Sequence, residues 1–240
     1  MINLKPKDYN FDGLKSRTIF CLWTGDEIMS DDRAIALWTI FKNTGCPVAF
    51  ITKETLEEWI IPEYPLHEAY NYLSSTHKSD YLRCYLMHHY GGGYTDIKLT
   101  NTKWKPFFMG LENSNDNMAL GYTEIALGIP HIKGEFGDQI RAAHRELIGL
   151  CAFIFKSKST ITSQWYSELH KVLDEKLSDL KNNPGKFSLD QTGLKLPSGD
   201  ISLYPLRWAE ILGEILHPLF YKYRNNLIKA KIEPAFIKYR

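Results

Sequence analysis

The stretch 79–98, SDYLRCYLMHHYGGGYTDIK, leaves the chain little freedom in how it folds locally. Leu82, Tyr85, Leu86 and His89 recur at helical spacing, which gives a helix with one face suited to a core. Asp80 and Arg83, three residues apart, project from neighbouring positions on another, polar face. Gly91, Gly92 and Gly93 then stop the helix, because glycine takes left-handed backbone angles without steric penalty. Tyr94, Thr95 and Ile97 have strand propensity, and alternation along a strand sends Asp96 and Lys98 to the same side. One helix–turn–strand unit thus brings two charged pairs close together.

The same residues resemble the DXD sugar-binding glycosyltransferases, a group spanning capsular polysaccharide synthesis enzymes, initiating mannosyltransferases and glucosylating toxins. Their shared pattern is Ser-Asp, two hydrophobic residues and Arg, followed by Gly-Gly-x-Tyr-x-Asp-x-Asp. Ser79, Asp80, Arg83, Gly91, Gly92, Tyr94 and Asp96 match it, whereas Lys98 stands where the second Asp belongs. The resemblance implies an α/β chain of GT-A type, with a Rossmann-like nucleotide-binding half and a mixed central sheet flanked by helices. It implies one domain over 1–240, with a nucleotide-sugar half over about 1–100 and an acceptor half over about 101–240. The implied reaction moves a hexose-like sugar, with retention, from a UDP- or GDP-linked donor to a glycan or lipid-linked oligosaccharide, in capsule or O-antigen assembly. Two alternatives stay open: a non-catalytic sugar- or nucleotide-binding relative, in which Lys98 marks lost catalysis, and a toxin-like enzyme modifying a protein hydroxyl.

Along the chain, TIFCLW at 18–23 reads as a buried first strand, followed by a Thr24-Gly25-Asp26 turn. Residues 30–42 form a capped amphipathic helix, 48–51 a second strand, and a helix opens at Thr52 or Lys53 and runs to Trp59. This strand–helix alternation argues for parallel pairing. Helix resumes over 67–73. After Lys98, the segment 104–108 reads as a turn because it contains Pro106. Residues 118–122 and 149–156 read as strands, and GIPHIKGEFGD as a loop over the site. A long helix covers 160–180 and stops at Asn182-Asn183-Pro184-Gly185. A short strand at 201–204, a helix over 205–216 broken by His217-Pro218, and a basic amphipathic segment from 219 complete the pattern.

Composition enters mainly as exclusion. A net charge of +1 gives no global field to recruit nucleic acid. Cys21, Cys46, Cys84 and Cys151 are far apart and lack metal-ligand spacing, so buried free thiols and a reducing compartment are expected. No apolar run reaches the ~20 residues of a membrane span, and the N-terminal segment has no signal-like apolar core. The expected location is cytoplasmic. The basic residues Lys222, Arg224, Lys229, Lys231, Lys238 and Arg240 suggest a peripheral contact with the inner membrane face, against the alternative of a solvated helical face.

Glycosyl transfer must stabilise a diphosphate leaving group and orient a sugar. By resemblance, Asp80 and Arg83 hold the sugar, Asp96 reaches the ribose and the metal region, and Trp23 stacks on the base, against the alternative that Trp23 is a core residue. Tyr94 is a sugar contact or packing, and His217 a phosphate or metal contact or merely a helix-ending residue. Asp190 and Lys98 are candidate catalytic residues, with Gln191 beside them. Trp208 is expected in the core, Asp138 is a weak replacement metal ligand, and His88-His89 do not read as a metal pair. The resemblance implies Mn²⁺ or Mg²⁺ on Asp96. An ammonium at Lys98 would repel such an ion, which makes metal-independent catalysis the competing expectation.

Overall fold

The computed structural model describes residues 11–25 and 28–237. Asp26, Lys238, Arg240 and the N-terminal segment read above lie outside them. Six strands form one mixed sheet in the order β2-β1-β3-β5-β4-β6. The strands are β1 Ile19–Trp23, β2 Val48–Thr52, β3 Gly92–Thr95, β4 Ala119–Thr123, β5 Ile148–Phe155 and β6 Leu227–Lys229. β1 pairs in parallel with both β2 and β3, whereas β5 runs antiparallel between β3 and β4. The α/β architecture with a mixed sheet is as expected.

Both faces of the sheet are covered, so its strands carry apolar residues on both sides rather than alternating with polar ones. Ile19 and Cys21 face one core with α1 Asp31–Asn43 and α3 Lys105–Glu112. Phe20, Leu22, Phe153 and Phe155 face the other core. That second core is completed by α2 Ser75–His89, α5 Thr160–Asn182 and α6 Gly213–Lys222. The polar starts of the helices act as caps: Ser30, Ser74 and Ser159 each accept a backbone N–H of the first turn.

Several local expectations are corrected. Residues 105–112 are helical, because a Pro in the first turn lacks only an N–H that would have been unpaired anyway. Part of the supposed loop over the site is α4, Glu135–Ala142. The helices expected near Trp59 and over 67–73 are short 3-10 segments, Leu56–Trp59 and Glu68–Tyr72. At 201–204 there is only an isolated bridge, Ile201 to Lys195. α6 begins at Gly213 and runs through His217 and Pro218, so these two residues do not break it. The basic segment after 219 is not one amphipathic helix. Lys222 ends α6, Arg224 sits in a 3-10 turn and Lys229 on edge strand β6. Cys21 and Cys84 are buried free thiols as expected, but Cys46 and Cys151 are only partly buried. Among the described residues no helix is long and apolar enough to cross a membrane.

Candidate functional site

The candidate site forms where α2 stops and β3 starts. Tyr90 closes the helix with its N–H on the Leu86 carbonyl, and Gly91 turns the chain at φ +64°. A Cβ on Gly91 would lie 2.7 Å from the Ser157 nitrogen, so this position requires glycine twice over, for its angle and for its space. β3 runs only to Thr95. Asp96 extends the ladder by donating its N–H to the Cys151 carbonyl, and the Lys98 N–H then closes a three-residue turn on the Asp96 carbonyl. Asp96 and Lys98 therefore come to the same side through a tight turn, not through strand alternation as expected.

Four charges meet there. The Asp96 carboxylate accepts the Tyr94 hydroxyl at 2.9 Å and pairs with Arg83 at 3.1 Å through Oδ1, and takes Lys98 Nζ at 2.6 Å through Oδ2. Arg83 also reaches Asp80 at 3.6 Å, donates to the Leu150 carbonyl at 3.3 Å and lies over the Tyr94 ring. Its Nε is buried without a protein partner. Lys98 Nζ lies 3.2 Å from Cys151 Sγ and over the Phe236 ring.

Asp80 is not on an open polar face as expected. Its side chain is 4% exposed, and it lies beneath the cleft surface while Ser79 lines it. The pair with Arg83 is accordingly unlike an exposed i,i+3 bridge, because both partners have left water.

Burial and sharing of the single guanidinium drive the two carboxylates apart. Burial pushes the Asp80 carboxyl up to about 7; Arg83 opposes this and Asp96 adds to it. Burial acts on Asp96 in the same direction. The Arg83 and Lys98 charges, with hydrogen bonds from Lys98 and Tyr94, outweigh it and hold Asp96 well below the usual carboxylate range. Burial opposes the charges on Arg83 and Lys98 too, but Tyr94, Asp96 and Asp80 around Arg83, and Asp96 and Cys151 beside Lys98, raise both pKa values.

The cluster opens into a cleft of about 1150 Å³ at the C-terminal ends of β1 and β3, the sheet edge where open α/β folds take ligands. Trp23, Thr24 and Gly25 line it from β1, Ser75, Thr76, Ser79 and Arg83 from α2, and Tyr94, Asp96, Ile97 and Lys98 from β3. Arg33 of α1, which donates to the Ile97 carbonyl, adds a third cation. The far wall consists of Phe187, Ser188, Leu189, Gln191, Leu194 and Trp208.

The structure brings Trp23, Arg83, Tyr94, Asp96, Lys98 and Gln191 together around this cleft. It does not bring Asp190 or His217 there. Asp190 is buried and braces its own loop, accepting the Lys186 N–H and the Ser202 hydroxyl. His217 is fully buried against Glu124 at 3.1 Å. Trp208 is not core but 45% exposed on the cleft wall. Asp138 sits exposed on α4, away from the cleft lining, and His88 stacks on Tyr166.

Arg33 and the hydroxyls of Ser75 and Thr76 were missed. The Ser74-Ser75-Thr76 run at a helix start was the signal available for the hydroxyls. Nothing in the sequence near Arg33 distinguishes it from a solvated first-turn cation.

A divalent ion finds a poor seat among the described residues. Both Asp96 oxygens already accept from cations, and no group of three or more His, Cys, Asp or Glu side chains is arranged to hold a metal.

Residues 11–115 match the profile of a family described as capsular polysaccharide synthesis protein. That stretch contains α2, β3 and all four charged residues of the cluster. A comparison with curated proteins finds no match. Among solved structures, one titled "PaToxG Glycosyltransferase" is similar over 71% of this chain at 13% identity and a TM-score of 0.41. The match spans 65% of that chain's length, and a likeness of this strength assigns neither an activity nor a residue.

Proposed function

We propose that the chain is a glycosyltransferase of GT-A type that binds a nucleotide sugar in the 1150 Å³ cleft and passes the sugar, with retention, to a glycan acceptor in surface polysaccharide assembly. The observation that carries this reading is the Asp80–Arg83–Asp96–Lys98 cluster at the C-terminal ends of two parallel strands. It lies inside the stretch that matches the capsular polysaccharide synthesis family.

The roles follow from chemistry and position. Trp23, at the end of β1, offers a ring to the base. Arg33, Arg83 and Lys98 present positive charge where a diphosphate would lie, with Asp96 as the one carboxylate among the described residues that line the same surface. As the sugar–phosphate bond breaks, negative charge builds on the departing diphosphate. Lys98 and Arg83, both on the cleft lining, offset that charge, with Arg83 held in place by the Leu150 carbonyl and Asp96. Asp96 orients both cations. Because Lys98 and Arg83 already occupy both Asp96 oxygens, this reading has the two cations take the part that a divalent ion would play.

A second reading has a specific observation behind it. The salt link from Lys98 ties up Asp96, as expected of a relative that binds the sugar nucleotide and no longer turns it over. A binding screen of nucleotide sugars with and without Mn²⁺, followed by a turnover assay on each hit, separates the two. Binding without turnover or hydrolysis in any condition leaves only the binding protein. No binding of any nucleotide sugar removes both.

A further inference from the structure

The cleft is polarised, and the proposed donor chemistry uses only one end of it. Arg33, Arg83, Asp96 and Lys98 crowd the sheet end, while the opposite wall offers Phe187, Leu189, Leu194 and Trp208. At about 1150 Å³ the cleft exceeds the ~300–1,000 Å³ of a single small-molecule site. Phe187 also lines a second, mixed cavity of about 400 Å³, where Leu196, Ile201 and Leu203 sit among the polar Lys186, Asp190 and Asp200.

These side chains stay in water at a cost, with Leu189 59% and Leu203 76% exposed. They do so on a loop that is fastened down. The Thr76 N–H donates to the Ser188 carbonyl, the Thr192 N–H to the Leu206 carbonyl, and Asp190 joins Lys186 to Ser202. The Tyr204 hydroxyl meets the buried ring of His77, whose other nitrogen meets the Arg207 carbonyl. A braced loop that displays apolar groups beside a large cleft is a preformed surface for an apolar ligand.

We infer that this end of the cleft is the acceptor subsite, and that its ligand is an amphipath. The sugar lies against Trp208 and Gln191, and an alkyl or isoprenoid chain runs over Phe187 and Leu189 towards Leu203. The inference rests on the glycosyl-transfer reading for the word acceptor, but not for the binding itself.

The test is calorimetric titration, with no donor present, of β-glucosides in a series from butyl to decyl, each below its micelle concentration. Affinity should rise about two- to fourfold per methylene, fourfold being the value for full burial. Leu189→Ser/Leu203→Ser, at two exposed positions, should flatten that dependence while leaving nucleotide-sugar binding unchanged. Trp208→Ala should weaken every member of the series by a similar factor. A flat series in the wild type overturns the inference, as it would if the wall meets a peptide. So does an equal slope in the double variant, which would place the chain elsewhere. A preserved slope without nucleotide-sugar turnover removes the glycosyl-transfer reading and leaves the amphipath site standing.

Discussion

Replacing Asp80 by Asn removes a carboxylate that the fold buries beside a guanidinium it cannot fully claim. Arg83 lies 3.1 Å from Asp96 and 3.6 Å from Asp80, and Asp96 has Lys98 as well. Burial acts on both carboxylates, but at Asp80 it is opposed by Arg83 alone, and its pKa rises from 3.8 to about 7. Between these values the folded protein binds a proton that the unfolded chain has released, so wild-type stability falls as pH rises, by about 1.4 kcal/mol per pH unit. The interval is 7 − 3.8 = 3.2 units, which amounts to about 4 kcal/mol from Asp80 alone. The amide of the variant cannot ionise and avoids this loss.

The assay is a set of urea and thermal denaturations of wild type and Asp80→Asn at several pH values from below 3.8 to mildly alkaline. Contributions from all other groups, including the oppositely shifted Asp96, largely cancel in the difference. The variant should gain on the wild type steadily up to about pH 7 and then level off. The total shift in Tm should be on the order of 10 °C, taking about 2–4 °C per kcal/mol for a chain of this size. Parallel curves would refute the argument. A wild type that gains on the variant with rising pH would mean that Arg83 dominates Asp80 and the sign is wrong. Asp96→Asn supplies the control: with the like charge removed and Arg83 released, the pH dependence due to Asp80 should shrink.

Further expectations concern activity and the turn. Donor turnover by the wild type should persist in EDTA, and Lys98→Ala should lose most of it; abolition by EDTA with rescue by Mn²⁺ would restore a metal to the mechanism. Arg83→Lys should lower turnover by about 10²–10³-fold in a folded protein, because a point ammonium cannot reach Asp96, Asp80 and the Leu150 carbonyl together. Normal rates would sink that role. Gly91→Ala should destabilise by about 1–2 kcal/mol from the left-handed angle alone, and by more from the clash with Ser157, read as a lower urea midpoint.

The parts legible in the sequence were those with local causes. The stop at Gly91 is fixed by backbone sterics, the starts at Ser30 and Ser159 by hydroxyl caps, and β1 by an apolar run covered on both faces. Asp80 was misjudged because helical spacing says which face it shares but not what will cover that face. Asp190 and Trp208 were misplaced for a related reason. Both belong to an irregular loop whose path is set by distant anchors, the Ser202 hydroxyl and His77, and not by neighbours in sequence. His217 is expected at the site only through the resemblance, and neither that role nor a helix-ending one holds, because α6 runs through it and buries it fully. The antiparallel course of β5 had no local signature at all.

That course of β5 also sets an order of assembly. Asp80, Arg83, Asp96 and Lys98 all lie within a short stretch of chain, and helix, turn and strand can bring them near one another early. What finishes the cluster arrives from far along the sequence: the Leu150 carbonyl for Arg83, Cys151 beside Lys98, and the ladder that pairs Thr95 with Ala152. Contacts so distant in sequence close slowly, because the intervening loop must lose its entropy first. A chain in which β5 is not docked would carry every charged residue of the site without the partners that complete it.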